Sequence, residues 1–133
     1  MSEENIEAAR QALDAVNRRD RVAFQAVCDP ELENTPPQDW PESRTTRGSH
    51  AVFDFYLANT APWGEAQYEY VGLIEGGDDK TLGEVRAEVQ GKGSGAEVTW
   101  SFWQVGTFHN GKFARIEWFS ERADALEAAG LSE

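Results

Sequence analysis

The segment VTWSFWQVGTFHNGKFARIEWF, residues 98–119, has the pattern of a β-hairpin. Two runs of aromatic and β-branched residues flank His109-Asn110-Gly111, and Asn-Gly between such runs is the strongest local signal for a tight hairpin turn. Side chains alternate between the two faces of a strand, so these closely spaced aromatic residues make both faces largely apolar. One face can fill the protein core, and the other needs an apolar partner, such as a ligand, a second chain or more of this protein.

The segments around the hairpin indicate helices first and strands later. Apolar residues at helical spacing predict one helix over residues 2–19 and a second, capped by Asp20, over residues 21–28. A short strand over residues 31–35 precedes a proline-rich loop, and a third helix begins near Gly48. Strands are predicted over residues 68–75, 81–90, 97–108 and 112–120, with a closing helix over residues 122–129. This order favours a single α+β domain over residues 1–133, with helices on one face of a sheet.

The charge balance excludes several classes of partner. The chain has 24 acidic and 12 basic residues and a net charge of −12, which disfavours nucleic acid and anionic membranes. The single cysteine, Cys28, cannot form a disulfide within the chain, and the first residues lack the pattern of a secretory leader. We therefore expect a cytoplasmic location. His50 and His109 do not have metal-ligand spacing, so no metal site and no cofactor are expected.

The element order also resembles a known superfamily. The phrases DPELEN (29–34), TTRGSHAVFDFY (45–56), FHNGKFARIEWFSE (108–121) and ADALEAAG (123–130) are similar to the SnoaL-like branch of the nuclear-transport-factor-two-like superfamily. The resemblance implies a cone-shaped, strongly curved antiparallel sheet of the cystatin-like kind, wrapped around the N-terminal helices, with an apolar pocket inside. Its members include polyketide cyclases, ketosteroid isomerase, scytalone dehydratase and limonene epoxide hydrolase, and many have no known activity. The fold alone therefore does not decide the function.

The resemblance and the strand alternation together predict the pocket and an interface. The face that carries Gln104 and Trp118 is expected to point into the cone. The predicted pocket residues are Trp40, Phe53, Tyr56, Trp100, Phe102, Gln104, Ile116 and Trp118. On the opposite, convex face, Trp103, Phe113 and Phe119 are expected to meet a second subunit in a homodimer. Gln104 either binds a polar group of a ligand or is paired with a neighbouring side chain, because burying it unpaired would cost about 1–3 kcal/mol.

Glu33 is the first candidate for acid–base chemistry. The resemblance implies that it points inward together with Thr35, and burial among aromatic residues would raise its pKa. A solvated face that carries Glu31, Glu33 and Thr35 explains the same residues.

Arg86 is the second candidate, because Glu84, Arg86 and Glu88 share one face of their strand. The set resembles part of the Asp-Arg-Asp group of limonene epoxide hydrolase, in which the arginine polarises the epoxide while a carboxylate activates water. The hydrolase's third member, however, corresponds to Trp118 here. The alternative is a solvated ladder of charges on the convex side of the sheet.

Two functions remain open at this point. The first is a small-molecule binding protein with an apolar, aromatic pocket. The second is a lyase, isomerase or hydrolase that acts on an apolar, oxygenated substrate, with Glu33 as acid or base and Gln104 orienting the substrate. The ketosteroid isomerase reaction itself is not expected, since the positions of its base and two donors correspond to Thr35, Ala12 and Gln104.

Overall fold

The computed structural model describes residues 2–41, 43–60, 66–90 and 97–131, which form helices α1 to α4 and strands β1 to β6. The helices are α1 (Ser2–Arg18), α2 (Arg21–Ala26), α3 (Ser49–Thr60) and α4 (Arg122–Ala128). The strands are β1 (Cys28–Thr35), β2 (Thr46–Arg47), β3 (Ala66–Glu75), β4 (Lys80–Gln90), β5 (Glu97–His109) and β6 (Lys112–Phe119). Asp20 caps α2 as predicted, accepting a hydrogen bond from the Ala23 amide at 3.0 Å.

The six strands form one open sheet in the order β2-β1-β6-β5-β4-β3. The pairs β1–β2, β3–β4, β4–β5 and β5–β6 are antiparallel, whereas β1 and β6 run parallel. The parallel pair departs from the purely antiparallel sheet that we expected, and the two-residue strand β2 was not predicted. Helix α1 packs against β3, β4 and β6, so the sheet curves around it. The expected α+β class is confirmed.

Apolar residues are buried on both faces of the sheet. On the concave face, helices α1 to α3 and the inward strand residues share the main core, which includes Phe24, Leu32, Phe53 and Phe113. On the convex face, α4 covers a smaller cluster; its members are Leu82, Val105, Ala125, Leu126 and Ala129. Burying one of the larger apolar side chains, such as Leu or Phe, stabilises the fold by about 1.5–3 kcal/mol. The chain's own last helix therefore covers part of the second apolar face of the hairpin.

The hairpin between β5 and β6 turns at Asn110 and Gly111, which have φ values of 53° and 76°. Positive φ at both central positions is typical of a type I′ turn, and Asn-Gly is its preferred pair. Beyond the turn, Phe108 pairs with Phe113 and Thr107 pairs with Arg115, so Ala114 is an extra residue in β6. Such a bulge reverses the side-chain alternation.

The bulge corrects one prediction about the convex face. It turns Phe113 inward, where the side chain is fully buried and its ring lies 4.3 Å from that of Phe108. Phe113 therefore belongs to the core and not to an exposed interface.

Candidate functional site

A cavity of about 70 Å³ lies between the helices and the concave face of the sheet. One water molecule needs roughly 10–15 Å³ on this measure, and a cavity of about 150 Å³ holds benzene, so this cavity holds a few waters or a small organic molecule of at most one ring. Its predicted wall residues are Trp40, Tyr56, Trp100, Phe102, Gln104, Ile116 and Trp118. The wall also includes residues that the sequence did not indicate: Ala12, Leu13, Val16, Phe24, Pro36, Pro37, Phe55, Tyr68, Val85 and Phe113. Helices α1 to α3, strands β3 to β6 and the loop after β1 therefore contribute to the described wall of this site.

Phe53 is the one predicted pocket residue that the structure places elsewhere. Its side chain is buried in the core, 5.3 Å from the ring of Phe24, and it does not line the cavity. Helix α3 instead presents Phe55 and Tyr56 to the cavity. The face of α3 that lines the cavity therefore carries Phe55 in place of the predicted Phe53.

The described wall contains no Asp, Glu, His, Lys or Arg side chain. Aromatic and aliphatic groups make up most of it, and the polar groups come from Gln104, Tyr56, Tyr68 and the indole nitrogens of three tryptophans. Such a wall favours an apolar ligand, because apolar surface gains free energy when it leaves water.

Gln104 is held by a tyrosine from a strand two places away in the sheet. Its side chain is only 4% exposed, and its Oε1 accepts a hydrogen bond of 2.6 Å from the hydroxyl of Tyr70 on β3. Gly83 of β4 lies between them, paired with Gln104 in the sheet register, and its lack of a side chain leaves space for the Tyr70 ring. Burial raises the pKa of Tyr70, so its hydroxyl keeps its proton and remains a donor at neutral pH.

Asn34 is the polar group that the sequence analysis missed. It is fully buried, and its Oδ1 accepts hydrogen bonds from the Tyr56 hydroxyl at 2.6 Å and from Nε1 of Trp118 at 2.9 Å. Burial raises the pKa of Tyr56 well above its usual value. The alternation of β1 carried a signal for this placement, since Asn34 shares a face with the apolar Leu32.

Glu33 lies outside the cavity, contrary to its expected inward direction. The side chain is on the outward face of β1, and its Oε2 is 3.1 Å from Nη2 of Arg47 on the neighbouring β2. Glu33 does not line the cavity, because the inward positions of β1 belong to Leu32 and Asn34. In this geometry Glu33 cannot exchange a proton with a molecule in the cavity.

Arg86 also lies away from the cavity, on the convex face of β4. It forms ion pairs with Glu69 of β3 and with Glu88, whose Oε1 is 3.8 Å from the Arg86 Nε. The inward residues of the same strand are Val85, Ala87 and Val89. Glu84, Arg86 and Glu88 therefore form the solvated ladder of charges and do not form the hydrolase-like catalytic set.

The remaining reactive side chains do not reach the cavity wall. Cys28 is buried in the core, and burial raises the pKa of its thiol to about 12. His50 and His109 are exposed, and no group of metal-binding side chains occurs within the described ranges.

On the convex face, Trp103 and Phe119 are half-buried against α4, and the guanidinium of Arg122 lies 5.8 Å from the Trp103 ring. None of the helices in the described parts of the chain is long and apolar enough to span a membrane.

Several solved structures have a similar fold. The structure of TerC co-crystallised with polyporic acid matches with a TM-score of 0.75 and 22% identity over 95% of this chain and 97% of that one. An NTF2-like protein of unknown function from Burkholderia pseudomallei K96243 matches with a TM-score of 0.74 and 23% identity over 97% and 98%. A candidate SnoaL-like polyketide cyclase from Jannaschia sp. CCS1 matches with a TM-score of 0.76 and 12% identity over 100% and 96%.

These structural likenesses are distant in sequence and show the fold. No curated protein sequence matches the chain. The pattern of the SnoaL-like domain matches residues 9–116, which is most of the chain and confirms the resemblance drawn from the sequence. The chain belongs to the SnoaL-like domain family.

Proposed function

We propose that this protein binds a small, mainly apolar organic molecule in its aromatic cavity. The observation that carries the proposal is a cavity of about 70 Å³ whose described wall is apolar and aromatic and has no charged side chain. Removing apolar ligand surface from water contributes about 25 cal/mol per Å² before the costs of association. The size of the cavity favours a molecule with one ring over a polycyclic one.

The composition of the wall favours binding over acid–base catalysis. Glu33 faces Arg47 on the outside, and Arg86 is paired on the convex face. Tyr56 lies on the wall, but burial raises its pKa well above its usual value, so it is a poor proton donor at neutral pH. Fold neighbours also support a small-molecule ligand, since TerC was crystallised with polyporic acid and another neighbour is a candidate polyketide cyclase.

A titration with ethylbenzene, an apolar one-ring molecule, tests the proposal. Isothermal titration calorimetry would compare the wild type with Ala12→Phe, which places a ring inside the cavity, and with Ala51→Phe, the same change at an exposed position of α3. We expect saturable binding to the wild type and to A51F and none to A12F. Circular dichroism would verify folding, and A12L serves as a smaller filling change. Equal binding to wild type and both filled variants, or no binding to wild type, would contradict the proposal.

The homodimer and the cytoplasmic location remain predictions from the sequence. The homodimer would use the convex face beside α4, where Trp103 and Phe119 are half-buried. Light scattering coupled to size-exclusion chromatography would measure the mass against the 14.8 kDa of one chain. A mass of one chain at micromolar concentration would refute the predicted homodimer.

A further inference from the structure

We infer that the ligand carries a neutral oxygen acceptor, such as a ketone carbonyl, and that the side-chain amide of Gln104 selects it. The inference rests on the proposed binding function and names the chemical class of the ligand. Gln104 lies on the cavity wall and is only 4% exposed. Its Oε1 is occupied by the hydroxyl of Tyr70, whereas none of the described residues accepts a hydrogen bond from its Nε2. The Nε2 amide is therefore available to donate to a bound molecule.

In the structure, Tyr70 holds the Oε1 end of the Gln104 amide. The donated hydrogen bond of 2.6 Å holds Oε1 toward β3, so Nε2 is directed away from Tyr70. The ring of Tyr70 cannot easily shift, because it lies against the backbone of Gly83 and packs on the main core. Tyr70 is thus a positioning residue, and Gln104 is the residue that contacts the ligand.

Two of the other donors near the cavity, the Tyr56 hydroxyl and the Trp118 indole nitrogen, are occupied. Both the Tyr56 hydroxyl and the Trp118 Nε1 donate to Asn34 Oδ1. A ligand that sought these donors would first have to break the bonds to Asn34, which leaves a buried acceptor unpaired. Gln104 needs no such rearrangement, so it is favoured over Tyr56 and Trp118 as the contact for an oxygen acceptor.

The charge of the surroundings favours a neutral acceptor over a carboxylate. The described wall has no Lys, Arg or His to balance an anion, and the chain has a net charge of −12. Burying an unpaired carboxylate in an apolar cavity is strongly unfavourable, whereas a ketone oxygen needs one donor. A neutral ligand with a carbonyl on an otherwise apolar ring matches the wall best.

The test compares two ligands of nearly the same shape, acetophenone and ethylbenzene, which differ by the carbonyl oxygen. Calorimetry would measure both with the wild type, Gln104→Met, Tyr70→Phe and Gln67→Met, a control at an exposed position of β3. We expect the wild type and Q67M to bind acetophenone about threefold to tenfold more tightly than ethylbenzene, as one hydrogen bond to a buried donor predicts.

The variants separate the roles of the two side chains. Q104M should keep ethylbenzene binding and lose the preference for acetophenone, and Y70F should retain part of the preference, because the amide is then free to rotate. Equal affinity of the wild type for both ligands, or a full preference that persists in folded Q104M, would overturn the inference and leave the proposed binding function standing. If the wild type binds neither ligand, both the inference and the proposed function fail.

Discussion

The ring of Tyr70 on β3 lies directly against the backbone of Gly83 on β4, so closely that a Cβ at position 83 would be 2.6 Å from Cε1 of the ring. Gly83 in turn pairs with Gln104 on β5. The tyrosine therefore crosses over the glycine and reaches the strand beyond it, where its hydroxyl donates to Gln104. A side-chain-free position in the middle strand is what allows this hydrogen bond to form.

Gly83→Ala should displace the Tyr70 ring and break its hydrogen bond to Gln104. Forcing an extra carbon into this contact is expected to destabilise the protein by about 1–3 kcal/mol. Gly72→Ala on β3 is the matched control, because a Cβ there meets no atom within 4 Å. Urea unfolding of the two variants measures the difference. Equal stability of G83A and G72A would show that the position of the Tyr70 ring does not require a glycine at position 83.

Asn34→Leu should destabilise the protein by removing the acceptor for two buried donors. The Tyr56 hydroxyl and the Trp118 indole nitrogen would lose their partner, which is expected to lower the free energy of unfolding by about 2 kcal/mol. Glu33→Gln is the control at the next residue, where a partly exposed ion pair with Arg47 contributes at most about 1 kcal/mol. Chemical denaturation would compare the two, and a loss in N34L no greater than in E33Q would contradict the assigned roles.

The same pair of variants tests the location of the binding site. Because Glu33 lies outside the cavity, E33Q should bind ethylbenzene with unchanged affinity. A large loss of ethylbenzene binding in E33Q would show that Glu33 contributes to the binding site.

Most of the fold could be predicted from the sequence because its signals are local. The Asn110-Gly111 turn, the Asp20 cap and the alternation around Gln104 each depend on a few neighbouring residues. The inward direction of Trp100, Phe102 and Trp118 follows from the same alternation.

The direction of a side chain could not be predicted from the sequence where it depends on how neighbouring strands pair. The extra residue Ala114 reverses the direction of Phe113, and no local pattern marks it, since the bulge exists only in the pairing of β6 with β5. The contact of Tyr70 with Gln104 across Gly83 likewise requires the register of three strands. For Glu33, the alternation with the buried Leu32 predicts the observed outward direction, whereas the analogy with the family predicts an inward one.

Stability should fall at alkaline pH because of Tyr56 and Tyr70. Burial raises the pKa of both hydroxyls above the usual value of 10.0, so the folded protein keeps protons that the unfolded chain releases. The stabilisation that these two hydroxyls contribute is fully present below pH 10. As the pH rises above 10, the free energy of unfolding falls by up to about 1.4 kcal/mol per pH unit for each group. Urea unfolding between pH 9 and about 11.5 should show a shallower decline for Tyr70→Phe than for the wild type. Parallel declines would contradict the burial of this hydroxyl.

Cys28 should be unreactive in the folded protein. Its thiol is buried and burial raises its pKa from 9.0 to about 12, so little thiolate exists at pH 8. We expect iodoacetamide to modify Cys28 slowly under native conditions and at the rate of a free thiol in concentrated urea, as measured by mass spectrometry of the intact chain. Rapid modification of the native protein would mean that β1 exposes this residue.

A crystal structure of the protein grown with acetophenone tests the binding proposal most directly. We predict electron density for the ring between Trp100 and Trp118, with the ketone oxygen within about 3.2 Å of the Gln104 Nε2, the range of an ordinary hydrogen bond. Density for acetophenone on the convex face, or a cavity that stays free of ligand while calorimetry shows saturation, would contradict a binding site inside the cone.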